Sequence, residues 1–367
     1  MQRSLGLDAK DSCRALEATT SRRSNAIRVR AFDGALLQEF RDGLDLPGDP
    51  FGIFLVGGIL GDLKSARAFD LSMQLSPWPN LELTVTGPEA SHPAPRPECS
   101  RRVAVTATDG VMSLDRDLAT FWRNRFDIFP ESGHQGLAEF SQAMNAVFAG
   151  FPFEDVVKGL APGITLIVDG ADLPAGHAPE VGIPSFGIVL ESTLDRERLE
   201  RLECAFQTAI GIINAGAPEE HRQPYLLSQE TRDGIRLNSA RLMNDPIHGR
   251  LGVEYNFEPS FVAKGSRLVF ASRPGLAWRL IVGEEDQGDI ASIDEIILPL
   301  AGVRSFVDRN LEYLVNQTMI EDGLTEPEAA AQIQGILKLI APLERVQLSR
   351  ASVGQGARWR LVFEGDE

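Results

Sequence analysis

Short runs in which apolar and polar residues alternate recur along this chain, and a period of two leaves little choice but half-buried β-strands. Ile27, Val29 and Ala31 alternate with Arg28 and Arg30. Phe69, Leu71, Met73 and Leu75 do the same. The chain then turns at Ser76-Pro77-Trp78-Pro79-Asn80 and returns through Leu81, Leu83 and Val85. Each such strand has one apolar face to cover. Segments of helical spacing lie between the runs without a regular βαβ rhythm. The expected fold class is therefore α+β, with antiparallel sheets covered by helices.

Three segments read as strand, helix, helix, hairpin. The first starts at Ala26. Its helices should bury Leu36, Leu37 and Phe40, break at Asp42-Gly43 and Pro47-Gly48, and resume from Asp49-Pro50 to about Leu63. The last starts at Ile296. Val303, Phe306, Val307, Leu311 and Leu314 share a helical face, Thr325 to Glu328 has the form of a capping box, and Ile333, Ile336, Leu337 and Ile340 stripe the next helix. Val346 and Leu348 then open a hairpin that returns through Trp359, Leu361 and Phe363. Leu81 to Gly87 aligns with Trp359 to Gly365, which predicts an internal repeat.

The middle begins in the same way. Asp115 should cap a helix burying Leu118, Phe121, Trp122 and Phe129, with Trp122 against Phe140 or Met144 of the next. Ile164 to Val168 and Phe186 to Leu190 read as strands, and Leu199, Leu202, Phe206, Ile210 and Ile213 keep one face of a long helix. Asp233-Gly234 is a favoured hairpin turn, setting Tyr225 and Leu227 against Ile235 and Leu237. Lys264-Gly265 marks another turn, and Ser272 should cap a helix through Leu280. The expected organisation is a disordered leader at 1–24, an α+β unit at 25–88, a Pro-rich linker at 89–102, a central α+β region at 103–290, and a unit at 291–367 repeating the first.

Composition limits the partners. The 367 residues carry 52 Asp and Glu against 36 Lys and Arg, a formal charge of −16, and a field of that sign repels phosphate backbones. Nucleic acid is thus not expected. The apolar run Ile53 to Leu60 is far below the roughly 20 residues of a membrane span, and no apolar signal segment occurs in 1–24. Cys13, Cys99 and Cys204 form no C-x-x-C pair.

Motifs of chemistry are weak. Leu55 to Gly61 is Gly-rich but lacks the Gly-Lys-Ser/Thr of a phosphate loop. His92, His134, His177, His221 and His248 stand in no metal-ligand spacing. Asp42-Asp45-Asp49, Asp169-Asp172 and Glu284 to Asp289 are acidic clusters without the EF-hand order, the last being the best candidate for weak calcium binding. Asn316-Gln317-Thr318 has the sequon form within a predicted helix. No catalytic, cofactor-binding or metal residue is assigned.

The strings Asp115 to Trp122, Leu137 to Phe140, Phe148 to Val157 and Pro259 to Ser272 resemble uncharacterised proteins common in planctomycete-type bacteria, over roughly Phe69 to Glu364. The resemblance implies no activity and transfers no site residue. Relatives of that kind carry a signal segment, so it allows export, although no signal peptide is read in this chain. Two expectations follow. The first is a non-catalytic binding or scaffolding protein, with a protein or small-molecule partner and a cell-envelope setting allowed. The alternative is an unrecognised hydrolase with a dispersed site, using His177 and Asp169.

Overall fold

A computed structural model describes residues 16–21, 26–32, 63–64, 66–75, 78–87, 102–103, 109–128, 131–148, 151–170, 179–219, 222–242, 252–283, 285–286, 294–353 and 356–365. In chain order the strands are β1 (Leu16–Ser21), β2 (Ala26–Phe32), β3 (Ala68–Gln74), β4 (Asn80–Thr86), β5 (Arg102–Val103), β6 (Gly110–Leu114), β7 (Leu160–Asp169), β8 (Ser185–Ser192), β9 (Tyr225–Arg232), β10 (Ile235–Leu242), β11 (Ser260–Lys264), β12 (Arg267–Ala271), β13 (Glu285–Asp286), β14 (Asp294–Pro299), β15 (Leu343–Val353) and β16 (Gly356–Gly365). The helices are α1 (Leu118–Arg123), α2 (Arg125–Ile128), α3 (His134–Val147), α4 (Phe153–Lys158), α5 (Arg196–Gly216), α6 (Pro274–Val282), α7 (Leu300–Arg309), α8 (Leu311–Asp322) and α9 (Glu326–Ile340).

The chain divides into two bodies, one of residues 1–100, 289–298 and 342–367, the other of residues 101–288 and 299–341. In the first body the strand order is β1-β2-β3-β4-β16-β15-β14. Its register makes one face apolar. Val29, Leu71, Leu83 and Trp359 stand opposite one another in turn, as do Ile27, Met73, Leu81, Leu361 and Leu348. On the other face Arg28 and Arg30 both bond the Asp70 carboxylate, so a neighbouring strand answers this basic run. The Arg28 guanidinium is the main cause that holds the Asp70 carboxyl below its ordinary range.

These observations correct the expectation of repeated strand-helix-helix-hairpin units. The fold is sheet-rich, and the segment 291–367 is not one unit. Its strand β14 and hairpin β15–β16 belong to the first body, whereas α7, α8 and α9 belong to the second. Hairpins β3–β4 and β15–β16 lie in one sheet, β16 beside β4. The physical reason is that a hairpin leaves two open edges, and a second hairpin satisfies one of them directly. A further correction concerns the leader, because Leu16–Ser21 is a strand paired with β2 along its whole length. The first segment's two helices, Leu36, Leu37 and Phe40 with them, lie outside the described residues.

In the second body the strand order is β6-β7-β8-β12-β11-β10-β9, and β5 pairs with β13 apart from it. Helices cover both faces. Val189, Val269, Val262 and Leu237 stand opposite one another and bury against Leu276, Leu280 and Ile281 of α6. Ile188, Phe270 and Phe261 form a row of the other face, where Leu202 and Phe206 of α5 pack. Asp233 (φ 51°) and Gly234 (φ 77°) make the β9–β10 turn with two left-handed residues, the type I′ geometry that suits the strands' twist. The partners differ from expectation: Tyr225 stands opposite Leu242, Leu227 opposite Ala240, and Leu237 opposite Glu230.

Two caps also move. Asp117, not Asp115, caps α1, its carboxylate accepting from the Thr120 N–H at 2.9 Å. Ser272 caps nothing, since α6 starts at Pro274 and the Ser272 hydroxyl accepts instead from the Phe186 N–H at 2.9 Å. On α9, Ile333 is buried but Ile336 is 57% exposed, so the core stripe runs through Ala329 and Ile333.

At the start of α9 the Glu328 carboxylate takes the Thr325 N–H at 2.9 Å and the Thr325 hydroxyl at 2.7 Å. The hydroxyl bond first, then the backbone bond, hold its pKa below the ordinary carboxylate value. A depressed folded pKa means that the cap's stabilisation is present above the unfolded value and is lost as pH falls through the folded one. The protection factors of the amides in the first turn of α9, taken relative to the intrinsic exchange rate at each pH, should therefore fall on acidification below the ordinary carboxylate range. Glu328→Gln should remove most of that pH dependence. Equal acid sensitivity in both proteins would refute the cap's role.

Candidate ligand cavity

The face of the second body's sheet under α5 is not filled to its end. β8 projects Phe186 and Ile188, β12 projects Phe270, and Phe206 of α5 closes over them, leaving a cavity of about 310 Å³. Phe206 stacks on Phe261 (6.4 Å, 28°), and Phe261 lies 4.7 Å from Phe270, so one wall is a continuous aromatic layer. Phe257 meets Phe186 edge-on at 6.0 Å. Phe186 is 44% exposed, so the cavity opens on its side.

The polar atoms around the cavity have structural duties. Ser260 donates to the Glu258 carbonyl at 2.7 Å, and Ser272 takes the Phe186 amide. Tyr225 is positioned by Asn214 at the end of α5, which accepts from its N–H at 2.7 Å and donates to its carbonyl at 2.9 Å. Burial pushes the Tyr225 phenol above its usual pKa, only partly offset by Arg222. At neutral pH it is a protonated donor beside an apolar space.

A polar cluster sits further along α5. The Asn238 carbonyl accepts from Gln207 and Gln229, each at 3.1 Å, deep in the body. Burial raises the Glu203 carboxyl, against the opposing charge of Arg236, whose guanidinium is 3.4 Å away.

Among the described residues, those weighed from the sequence do not form a cluster. Asp169 is 8% exposed and its carboxylate pairs with Arg279. His177 and Asp172 lie outside the described residues, as do His92, His221, His248, the Asp42-Asp45-Asp49 cluster and Leu55 to Gly61. His134 begins α3 and meets Phe126 edge-on at 5.2 Å. Of the cluster Glu284 to Asp289, only Glu285 and Asp286 are described, as β13. Among the described residues no group of acids, histidines or cysteines could hold a metal ion, and Cys204 is exposed and unbridged. Asn316 lies within α8. No helix among the described residues is long and apolar enough to cross a membrane.

The cavity itself was not foreseen. Each of its phenylalanines reads in sequence as an ordinary core residue, and only the pairing of β8 with β12 beneath α5 leaves space between them. Comparisons with family models, with curated proteins and with solved structures find no match to this chain.

Proposed function

We propose that the protein is a non-catalytic binding protein and that its ligand is a small, flat, largely apolar molecule held between α5 and the sheet. The observation that carries this reading is the aromatic cavity of about 310 Å³. A cavity of roughly 150 Å³ accepts one benzene ring, so this one suits a two-ring ligand. Apolar walls with few placed polar groups are the usual make-up of small-molecule sites. Tyr225 supplies one donor to fix the orientation of a ligand that carries an acceptor. The hydrolase alternative uses His177, which lies outside the described residues, and Asp169, whose carboxylate is paired with Arg279.

The neutral two-ring fluorophore 6-propionyl-2-(dimethylamino)naphthalene, whose ketone is an acceptor, tests the reading, because an anionic probe would be repelled by the acidic chain. Its emission should rise and saturate at one probe per chain. Phe186→Asp, at an exposed position that tolerates a charge, should weaken binding by about tenfold or more, the loss expected when a charge enters an apolar contact. Unsaturable emission, or equal binding by the variant, would overturn the assignment.

A further inference from the structure

The sheet of the second body ends on a strand with an open side. Among the described residues β9 pairs with β10 alone. A two-residue turn makes Arg232 and Ile235 a bonded pair, so Arg232, Glu230, Ser228 and Leu226 direct their backbone groups inward. Tyr225, Leu227, Gln229 and Thr231 direct theirs outward. Asn214 takes both groups of Tyr225 from outside the ladder, which agrees with that phase. Leu227, Gln229 and Thr231 are left with outward N–H and C=O groups. Edge strands are usually protected by proline, lysine, a bulge or shortness. β9 has none of these: its eight residues pair with β10 in unbroken register, and Leu226 and Leu227 are 40% and 48% exposed.

We propose that this edge binds a second copy of the chain, β9 against β9, antiparallel about a two-fold axis through Gln229. The strand is complementary to itself in that register. Leu227 faces Thr231 of the copy and Gln229 faces its counterpart, so every free outward residue meets another and each pair exchanges both backbone bonds. Ser228 faces Glu230 and Leu226 faces Arg232, so no like charges meet. An axis through Glu230 would set that carboxylate against itself. An axis through Ser228 would leave Thr231 facing Tyr225, whose groups Asn214 already holds. The formal charge of −16 opposes association at long range, but salt of about 0.15 M screens beyond roughly 8 Å.

Sedimentation equilibrium of the full chain in that salt tests the proposal. Wild type should show a monomer–dimer equilibrium. Ser228→Lys places a cation opposite Glu230 of the copy and should tighten it. Ser228→Glu places like charges together and should weaken it. Both changes are at an exposed side chain and leave the fold intact. Thr231→Pro removes an outward N–H without touching the β9–β10 ladder and should weaken the dimer by about tenfold or more. A monomer at all concentrations up to about 0.1 mM, the range of a weak specific complex, would overturn the proposal. So would a dimer that is indifferent to the sign of charge at position 228.

Discussion

Trp122→Ala should destabilise the second body by about 3–5 kcal/mol, the range for large aromatic truncations in cores. The indole is 8% exposed. Phe153 of α4 meets it edge-on at 5.0 Å, and Phe140 of α3 at 5.8 Å. These approaches place the ring edges, which are positive, against negative faces. The Arg125 guanidinium lies 4.4 Å from the ring centre and donates to the Trp122 carbonyl at 2.6 Å. Removing the indole thus leaves a hole bordered by three short helices. Those helices cannot easily collapse into it, because α1 is held at its start by the Asp117 cap. Urea titration followed by far-ultraviolet circular dichroism measures the loss. A cost below about 1 kcal/mol would mean that the ring contributes little to the core.

The contact of Trp122 with Phe140 was legible in the sequence, because both residues lie on apolar faces of neighbouring helices and the spacing is local. The Asp233-Gly234 turn was legible for the same reason. Alternation alone puts Leu81, Leu83 and Val85 on one side of their strand and Trp359 and Leu361 on one side of theirs, but the face they share was not legible, because the two hairpins are expected in separate units. What alternation does not contain is which strand lies beside which. Leu83 opposite Trp359 and Leu268 opposite Leu190 are pairings between distant segments, and many other apolar strands would satisfy the same period. The resemblance of two hairpins therefore suggested duplicated units, whereas the structure puts them side by side in one sheet. Caps failed at finer scale: Asp115 and Asp117 both precede the apolar face of α1, and only the chain's entry angle chooses between them. The cavity could not be read at all. It is defined by the absence of atoms between residues that each look like core.

Asn310→Ala should cost about 2–4 kcal/mol, although no motif marks the residue. Asn310 is 3% exposed and lies between α7 and α8. Its side-chain oxygen accepts from the Gly182 N–H at 2.8 Å, and its amide donates to the Gly182 carbonyl at 3.0 Å and the Phe306 carbonyl at 3.0 Å. The side chain thus completes a backbone segment as a neighbouring strand would. From the other side Asn256 does the same, accepting from the Ile183 N–H at 3.0 Å and donating to the carbonyls of Val181 at 2.7 Å and Val253 at 2.8 Å. Alanine at 310 would strand buried donors and acceptors, each costing about 1–3 kcal/mol, with partial relief from relaxation or an entering water. Asn310→Asp keeps the acceptor for Gly182 but turns a carboxylate oxygen toward two carbonyls, so it should not rescue. The two asparagines hold adjacent peptides, so Asn256→Ala and Asn310→Ala should be non-additive by more than about 0.5 kcal/mol. Denaturant midpoints of the single and double variants supply the cycle. Native-state amide exchange supplies the second readout: Asn310→Ala should deprotect Gly182 more than Ile183, and Asn256→Ala the reverse. Additive energies with unchanged exchange at both amides would mean that the segment is held by its flanking strands and not by the asparagine pair.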